Sequence, residues 1–170
     1  MALREILLYP DARLRNVATP VTQFDIHLKK LIDDMFETMY HDDGVGLAAT
    51  QINVQSRIIV IDQSDDHKSP IILINPEIIE KKGISSLKEG CLSVPGVYEC
   101  LNRAEYVKVK THDLNGNVFE IEGEDLLSVC IQHEIDHLDG KLLIDTLSRL
   151  KQMRIKDKLI KYKNYLASRS

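Results

Sequence analysis

The sequence predicts an α+β fold: antiparallel or mixed β-sheets packed around a central buried helix, with one helix nearer the N-terminus and another at the C-terminus. Three observations carry that prediction. Short β-branched runs fill the middle of the chain. A stretch of helical length near residue 130 is apolar on almost every side, which suits the inside of a fold and not its surface. Two amphipathic helical patterns flank these elements. Strands that must cover a central helix imply α+β and not a doubly wound sheet.

The first helical pattern runs from about Asp25 to Tyr40. Its apolar residues Leu28, Leu31, Ile32, Met35, Phe36 and Met39 recur at helical spacing, and Asp43-Gly44-Val45-Gly46 ends it. Ile58–Ile61 and Ile71–Ile74 are short apolar runs bounded by polar residues or proline, and both read as strands. Tyr106 to Thr111 alternates valine with lysine, as a strand with one wet face does. Asn115-Gly116 marks a hairpin turn because both residues tolerate positive φ, and Val118, Phe119 and Ile121 form the returning strand. The buried helix spans about Glu124 to Asp139, with acidic residues at its start and Gly140 placed to end it. The last helix, about Asp145 to Leu166, is amphipathic and rich in lysine.

With 170 residues and no repeat, low-complexity tract or linker, the chain is expected to form one domain over residues 1–170. A net charge of -4 does not suggest that the chain as a whole binds nucleic acid. The start of the chain lacks the features of a secretory signal, and no apolar run approaches the roughly 20 residues that span a bilayer. A cytoplasmic protein is expected. Cys91, Cys100 and Cys130 are an odd count without framework spacing, so buried thiols or metal ligands are expected in place of disulfides.

The buried helix carries His133-Glu134-Ile135-Asp136-His137. Residues four apart stack on one helix face, so both imidazoles can reach one ion, with Glu134 close enough to take a proton from a water bound to it. Two core histidines bonded to backbone carbonyls are the plainer alternative. Burial argues against it, since two histidines and a glutamate on an apolar helix are costly unless paired or metallated. A catalytic site needs a third protein ligand and an open position. No Glu follows Glu134 and no His follows His137, leaving only Asp145 and Asp157 as distant acids. Cys91, in Glu89-Gly90-Cys91-Leu92-Ser93, is the better candidate: a thiolate binds borderline metals well. A buried core thiol is its alternative reading and remains the assignment for Cys100 and Cys130. Cys130 lies three residues before His133 and can line a pocket on the same side.

Three segments together resemble peptide deformylases: Gly44-Val45-Gly46-Leu47-Ala48-Ala49-Thr50-Gln51, Glu89-Gly90-Cys91-Leu92-Ser93, and Gln132-His133-Glu134-Ile135-Asp136-His137-Leu138-Asp139-Gly140. The resemblance covers essentially the whole chain and includes a C-terminal helix like that of one bacterial subgroup. It implies removal of the formyl group from the N-terminal formyl-methionine of new polypeptides, releasing formate. It also implies a ferrous ion held by Cys91, His133 and His137, in a site whose ligands accept zinc, nickel or cobalt as well. Glu134 is implied as general base and then general acid, with the Gln51 amide and the Leu92 backbone N–H as donors to the oxyanion. On residue chemistry alone Gln51 reads as a loop residue capping a helix. Gly46 is placed to offer its carbonyl to the substrate amide.

Val45, Leu87, Leu126, Val129 and Cys130 are placed to line an apolar slot for the methionine side chain; core packing accounts for each equally well. Glu89 can orient the site through an ion pair with Arg103, or be a solvated surface residue. The sequence departs from the family in one respect. Some members carry an arginine shortly after the cysteine segment, and Val94-Pro95-Gly96-Val97-Tyr98-Glu99 has none.

Beyond residue 148, Arg149, Lys151, Arg154, Lys156, Lys158, Lys161, Lys163 and Arg169 face a single acid, Asp157. A solvated helix face explains this, and so does docking to ribosomal RNA near emerging chains. Two rivals to a deformylase are a peptidase cutting internal bonds and a closed structural zinc site. The second would need a fourth ligand, and His27, His41, His67 and His112 show no ligand-like spacing.

Overall fold

The computed structural model describes residues 2–169. Its strands are β1 (Gly46–Ala48), β2 (Ile58–Ile61), β3 (Ile71–Lys82), β4 (Ser85–Cys91), β5 (Val94–Arg103), β6 (Tyr106–His112) and β7 (Val118–Glu124), and its α-helices are α1 (Ile26–His41), α2 (Asp125–Leu138) and α3 (Arg149–Ser168). Five strands form an antiparallel sheet in the order β1-β2-β3-β6-β7, and β4 and β5 form a separate hairpin. This is the α+β arrangement expected from the sequence.

The two helices that flank β2 explain why it is apolar at all four positions. Strand side chains alternate between faces. Ile58 and Val60 pack with Leu28, Ile32, Met35 and Met39 of α1. Ile59 and Ile61 pack with Ile131 and Leu138 of α2, joined by Leu73, Val107 and Val109. Asp25 caps α1 as its carboxylate accepts from the backbone N–H of His27 and Leu28, both at 3.1 Å. Gly140, at φ 74°, follows the end of α2.

The elements depart from the sequence reading in several places. β3 does not stop at Ile74: it passes a register shift at Asn75 and Pro76 and continues to Lys82. Proline is tolerated in a strand at such a bulge, and the Asn75 amide bonds both the N–H and the carbonyl of Val21 at 2.7 and 3.0 Å. In the β6–β7 connection only Gly116 has positive φ, while the Asp113 carboxylate organises the turn by accepting from the N–H of Asn115 and Asn117. The last helix starts at Arg149 and not near Asp145, because residues 143–146 form a 3-10 turn and Ser148 caps the helix from the Lys151 N–H at 3.2 Å. Cys100 is exposed and not buried: β5 turns Val97, Glu99 and Leu101 inward, so Tyr98, Cys100 and Asn102 face solvent. All three cysteines are free. No helix among the described residues is long and apolar enough to cross a membrane.

Candidate metal centre

Three elements converge beside α2. The helix supplies His133 and His137, one turn apart, and the end of the β4–β5 hairpin supplies Cys91, just after a register shift at Gly90. A 3-10 turn following β1, residues 49–52, supplies Gln51. The N-terminal segment is pinned across the same region, where the Leu7 N–H donates to the Gln51 carbonyl at 2.7 Å and the Tyr9 N–H to the Ser93 carbonyl at 2.9 Å.

The ligand atoms of Cys91, His133 and His137 all lie within 4.8 Å of one another, and Cys91 Sγ is 3.2 Å from His137 Nε2. An ion bonded to thiolate and imidazole at about 2.0–2.3 Å in tetrahedral geometry needs ligand separations of roughly 3.5 Å. The donor set therefore fits a divalent metal. Among the described residues no other His, Cys, Asp or Glu joins this group, and His27, His41, His67 and His112 lie outside it. Among the described residues, then, the group consists of three donors and not the four of a closed structural zinc site.

The surrounding charges fix the orientation of His133. Its Nδ1 lies 3.0 Å from Glu89 Oε1. Glu89 in turn accepts two hydrogen bonds from Arg103, at 2.9 and 3.0 Å, and Arg103 Nη1 reaches Asp136 at 2.6 Å. Glu89 is buried, and so is not the solvated residue that the sequence left open. Burial works against its charge, but the hydrogen bonds from His133 and Arg103 hold its pKa below the usual value. A carboxylate on the far nitrogen sets the tautomer and aim of a metal-binding imidazole, and losing such a partner typically costs 10–100-fold in metal affinity or activity. Glu89→Gln is accordingly expected to lower metal affinity by about that factor, measured by competition with a chelator, with the fold retained.

Glu134 is buried beside the ligands, and its Oε1 has no hydrogen-bond partner. Burial raises its pKa to about 7. A carboxyl group with that pKa can both take and give a proton near neutral pH. Burial also pushes His137 well below its ordinary value, which favours the neutral imidazole that binds metals. Gly46 on β1 packs directly onto the acid: a Cβ there would lie 2.5 Å from Glu134 Oε2 and 2.8 Å from Cys130 Sγ. Gln51 performs two tasks. Its Oε1 accepts from the Ala48 N–H at 3.0 Å, the local capping role read from the sequence, while Nε2 donates to Ser93 Oγ at 3.0 Å and lies 3.6 Å from Cys91 Sγ.

These groups border one cavity of about 710 Å³. Val45, Gly46, Gln51, Glu89, Cys91, Leu92, Leu126, Val129, Cys130, His133 and Glu134 all line it. His137 lies behind the others at 1% exposure. Leu87 does not line the cavity: two residues before Glu89 along β4, it lies roughly 6–7 Å farther down the strand and pairs with Leu101. Leu126 is 58% exposed at the cavity mouth and is not part of the core. Burial pushes the Cys130 thiol well up, so it presents a neutral wall. The sequence reading missed Ile6, Leu8, Tyr98 and Ser93, as well as Asp136, the second partner of Arg103. Ser93 and Asp136 stand inside the quoted motif segments without a role read for them there, and only long-range folding shows the contacts that all five make.

A His-Glu-x-x-His helix facing a thiol across one cavity defines a class, the metal-dependent hydrolases with a single ion. The comparisons narrow it. Residues 3–153 match the polypeptide deformylase family. A peptide deformylase of Shewanella oneidensis is 54% identical over 161 residues, covering 95% of this chain and 96% of its own length. The crystal structure of a peptide deformylase from Legionella pneumophila aligns with a TM-score of 0.93 at 54% identity, covering 98% of both chains. That of the Ehrlichia chaffeensis enzyme in complex with actinonin aligns at 0.91 and 38% identity, over 95% of this chain and 98% of that one. This chain belongs to the polypeptide deformylase family, metal-dependent enzymes that remove the N-formyl group from nascent peptides.

Proposed function

We propose that residues 1–170 form one catalytic domain that hydrolyses the formyl amide of N-formylmethionyl peptides beside Cys91, His133 and His137, releasing formate. The observation that supports this most strongly is Glu134, a buried carboxyl group whose Oε1 has no hydrogen-bond partner, next to three convergent metal donors. Cys91, His133 and His137 would hold a ferrous ion, the metal the family resemblance implies. When bound, such an ion supplies Lewis acidity, lowering the pKa of a coordinated water toward about 7.

The chain's own groups supply the rest. Glu134 takes the proton of the attacking water and delivers it to the methionine nitrogen as the C–N bond breaks. The Gln51 Nε2 and the Leu92 backbone N–H donate to the oxyanion that develops on the formyl oxygen. β1 is the edge strand of its sheet, so its outer edge can pair with an extended peptide backbone. The Gly46 carbonyl accepts from the substrate amide there. Val45, Leu126, Val129 and Cys130 surround the methionine side chain. Glu89 acts through His133, as a positioning residue.

Formyl-Met-Ala and acetyl-Met-Ala, assayed side by side for release of free amine, test the reading. Rapid hydrolysis of the formyl peptide alone is expected; equal cleavage of both, or cutting of the Met-Ala bond, would contradict it. For iron, protein purified without air should lose activity and iron together on exposure to oxygen. Activity that persists with zinc alone would count against a ferrous site.

The cytoplasm is the compartment that fits the substrate and the free thiols. The basic face of α3 is proposed to dock on ribosomal RNA. A chain lacking α3 should then lose binding to ribosomes at low salt, and unchanged binding would refute that role.

A further inference from the structure

The open edge of β1 owes its aim to the register of its paired edge. Gly46 stands opposite Ile61, and the Val45 carbonyl before it accepts from the Asp62 N–H at 2.9 Å. In an antiparallel ladder, pairs that exchange hydrogen bonds alternate with pairs that do not. Gly46 falls in a pair that does not, so its N–H and carbonyl point away from β2, toward the open edge. A slip of one residue would turn them inward.

β1 has only three residues, too few to hold a register unaided. The Asp62 side chain fastens its bonded end. It is 2% exposed, and its carboxylate accepts from the Tyr40 hydroxyl at 2.6 Å and from the N–H and hydroxyl of Ser64. Burial opposes that charge, yet these neutral donors keep the carboxyl below its usual pKa. Tyr40, in the last turn of α1, is itself held between rings. It stacks with Phe36 and, at 4.1 Å, with His67, whose φ of 58° is one that few residues other than glycine adopt. Neither Tyr40 nor Asp62 lines the cavity. We infer that Tyr40 and Asp62 are positioning residues: through the Val45 carbonyl they fix the register of β1 and so aim the Gly46 carbonyl at the substrate amide.

This inference rests on the deformylase reading, and a readout without substrate separates the two. Tyr40→Phe keeps the ring and removes the hydroxyl. Exchange of the Asp62 amide hydrogen in the metal-loaded enzyme should then quicken about tenfold, the scale of losing one hydrogen bond to a charged group. KM for formyl-Met-Ala should rise by about the same factor with kcat within about threefold, because the lost contact serves binding and not the chemical step. Inhibition by acetohydroxamic acid, a metal chelator too short to lie along β1, should not change. Asp62→Ala should raise KM to a similar degree, and joining the two substitutions should add nothing, since both break one chain of contacts. Tyr40→Phe decides alone if Asp62→Ala does not fold. A merely structural role would lower the amount of active enzyme, and with it kcat, while KM stayed the same. That result, additive effects, or unchanged Asp62 exchange in Tyr40→Phe overturns the inference. Failure of the wild type to release formate from formyl-Met-Ala would overturn the deformylase reading, whereas Asp62 exchange would still report whether Tyr40 holds the register.

Discussion

Replacing Glu134 by glutamine is expected to lower kcat by about a hundredfold to ten-thousandfold while leaving the bound metal in place. The factor is that of a positioned proton-transfer group, roughly 3–5 kcal/mol of barrier at 1.36 kcal/mol per tenfold. Glu134 is not one of the three convergent donors, so metal stoichiometry by elemental analysis should match the wild type. The substitution keeps the shape of a side chain that packs against Gly46. The two readouts together make the test specific. A drop in activity with loss of metal would make Glu134 a ligand or a structural support, and a kcat within tenfold of wild type would remove it as the proton carrier.

The second large effect is expected at Cys91. A thiolate suits a borderline ion, whereas a serine hydroxyl is a harder donor that rarely ionises near neutral pH. Cys91→Ser and Cys91→Ala should lose metal on dialysis and fall to background deformylation. Cys91 stands at the end of a hairpin and is only half-buried, so thermal unfolding of the metal-free variant should resemble that of metal-free wild type. Full metal retention in Cys91→Ala would show that the third ligand lies elsewhere.

Where apolar spacing carries the signal, the architecture was legible in the sequence. The stripe of α1, the four consecutive aliphatics of β2 and, apart from Leu126 at the cavity mouth, the all-round apolarity of α2 each reflect where those residues lie in the fold. The β4–β5 hairpin was not legible. It pairs with itself and not with the main sheet, and Lys88, Glu89, Gly90, Pro95 and Gly96 hide its alternation. The end of β3 was lost for a related reason, since Asn75-Pro76 looks like a terminator and is a bulge.

The site divides along the same line. His133, Glu134 and His137 lie within one helical turn and announce their chemistry by spacing, and elimination pointed to Cys91. The pairing of Glu89 with Arg103 was anticipated. Asp136 at the far end of that chain was not, because its contact with Arg103 spans 33 residues and leaves no local trace. Leu87 went the other way: proximity in sequence to Glu89 and Cys91 suggested a place in the slot, but strand geometry carries it past the cavity.

X-ray absorption at the zinc edge of protein loaded with one zinc ion tests the central claim most directly, because it reads the ligand atoms themselves. Expected are one sulfur at about 2.3 Å and two imidazole nitrogens at about 2.0–2.1 Å, with a single further light atom supplied by solvent. A first shell without sulfur, or one completed by a third imidazole, would contradict it.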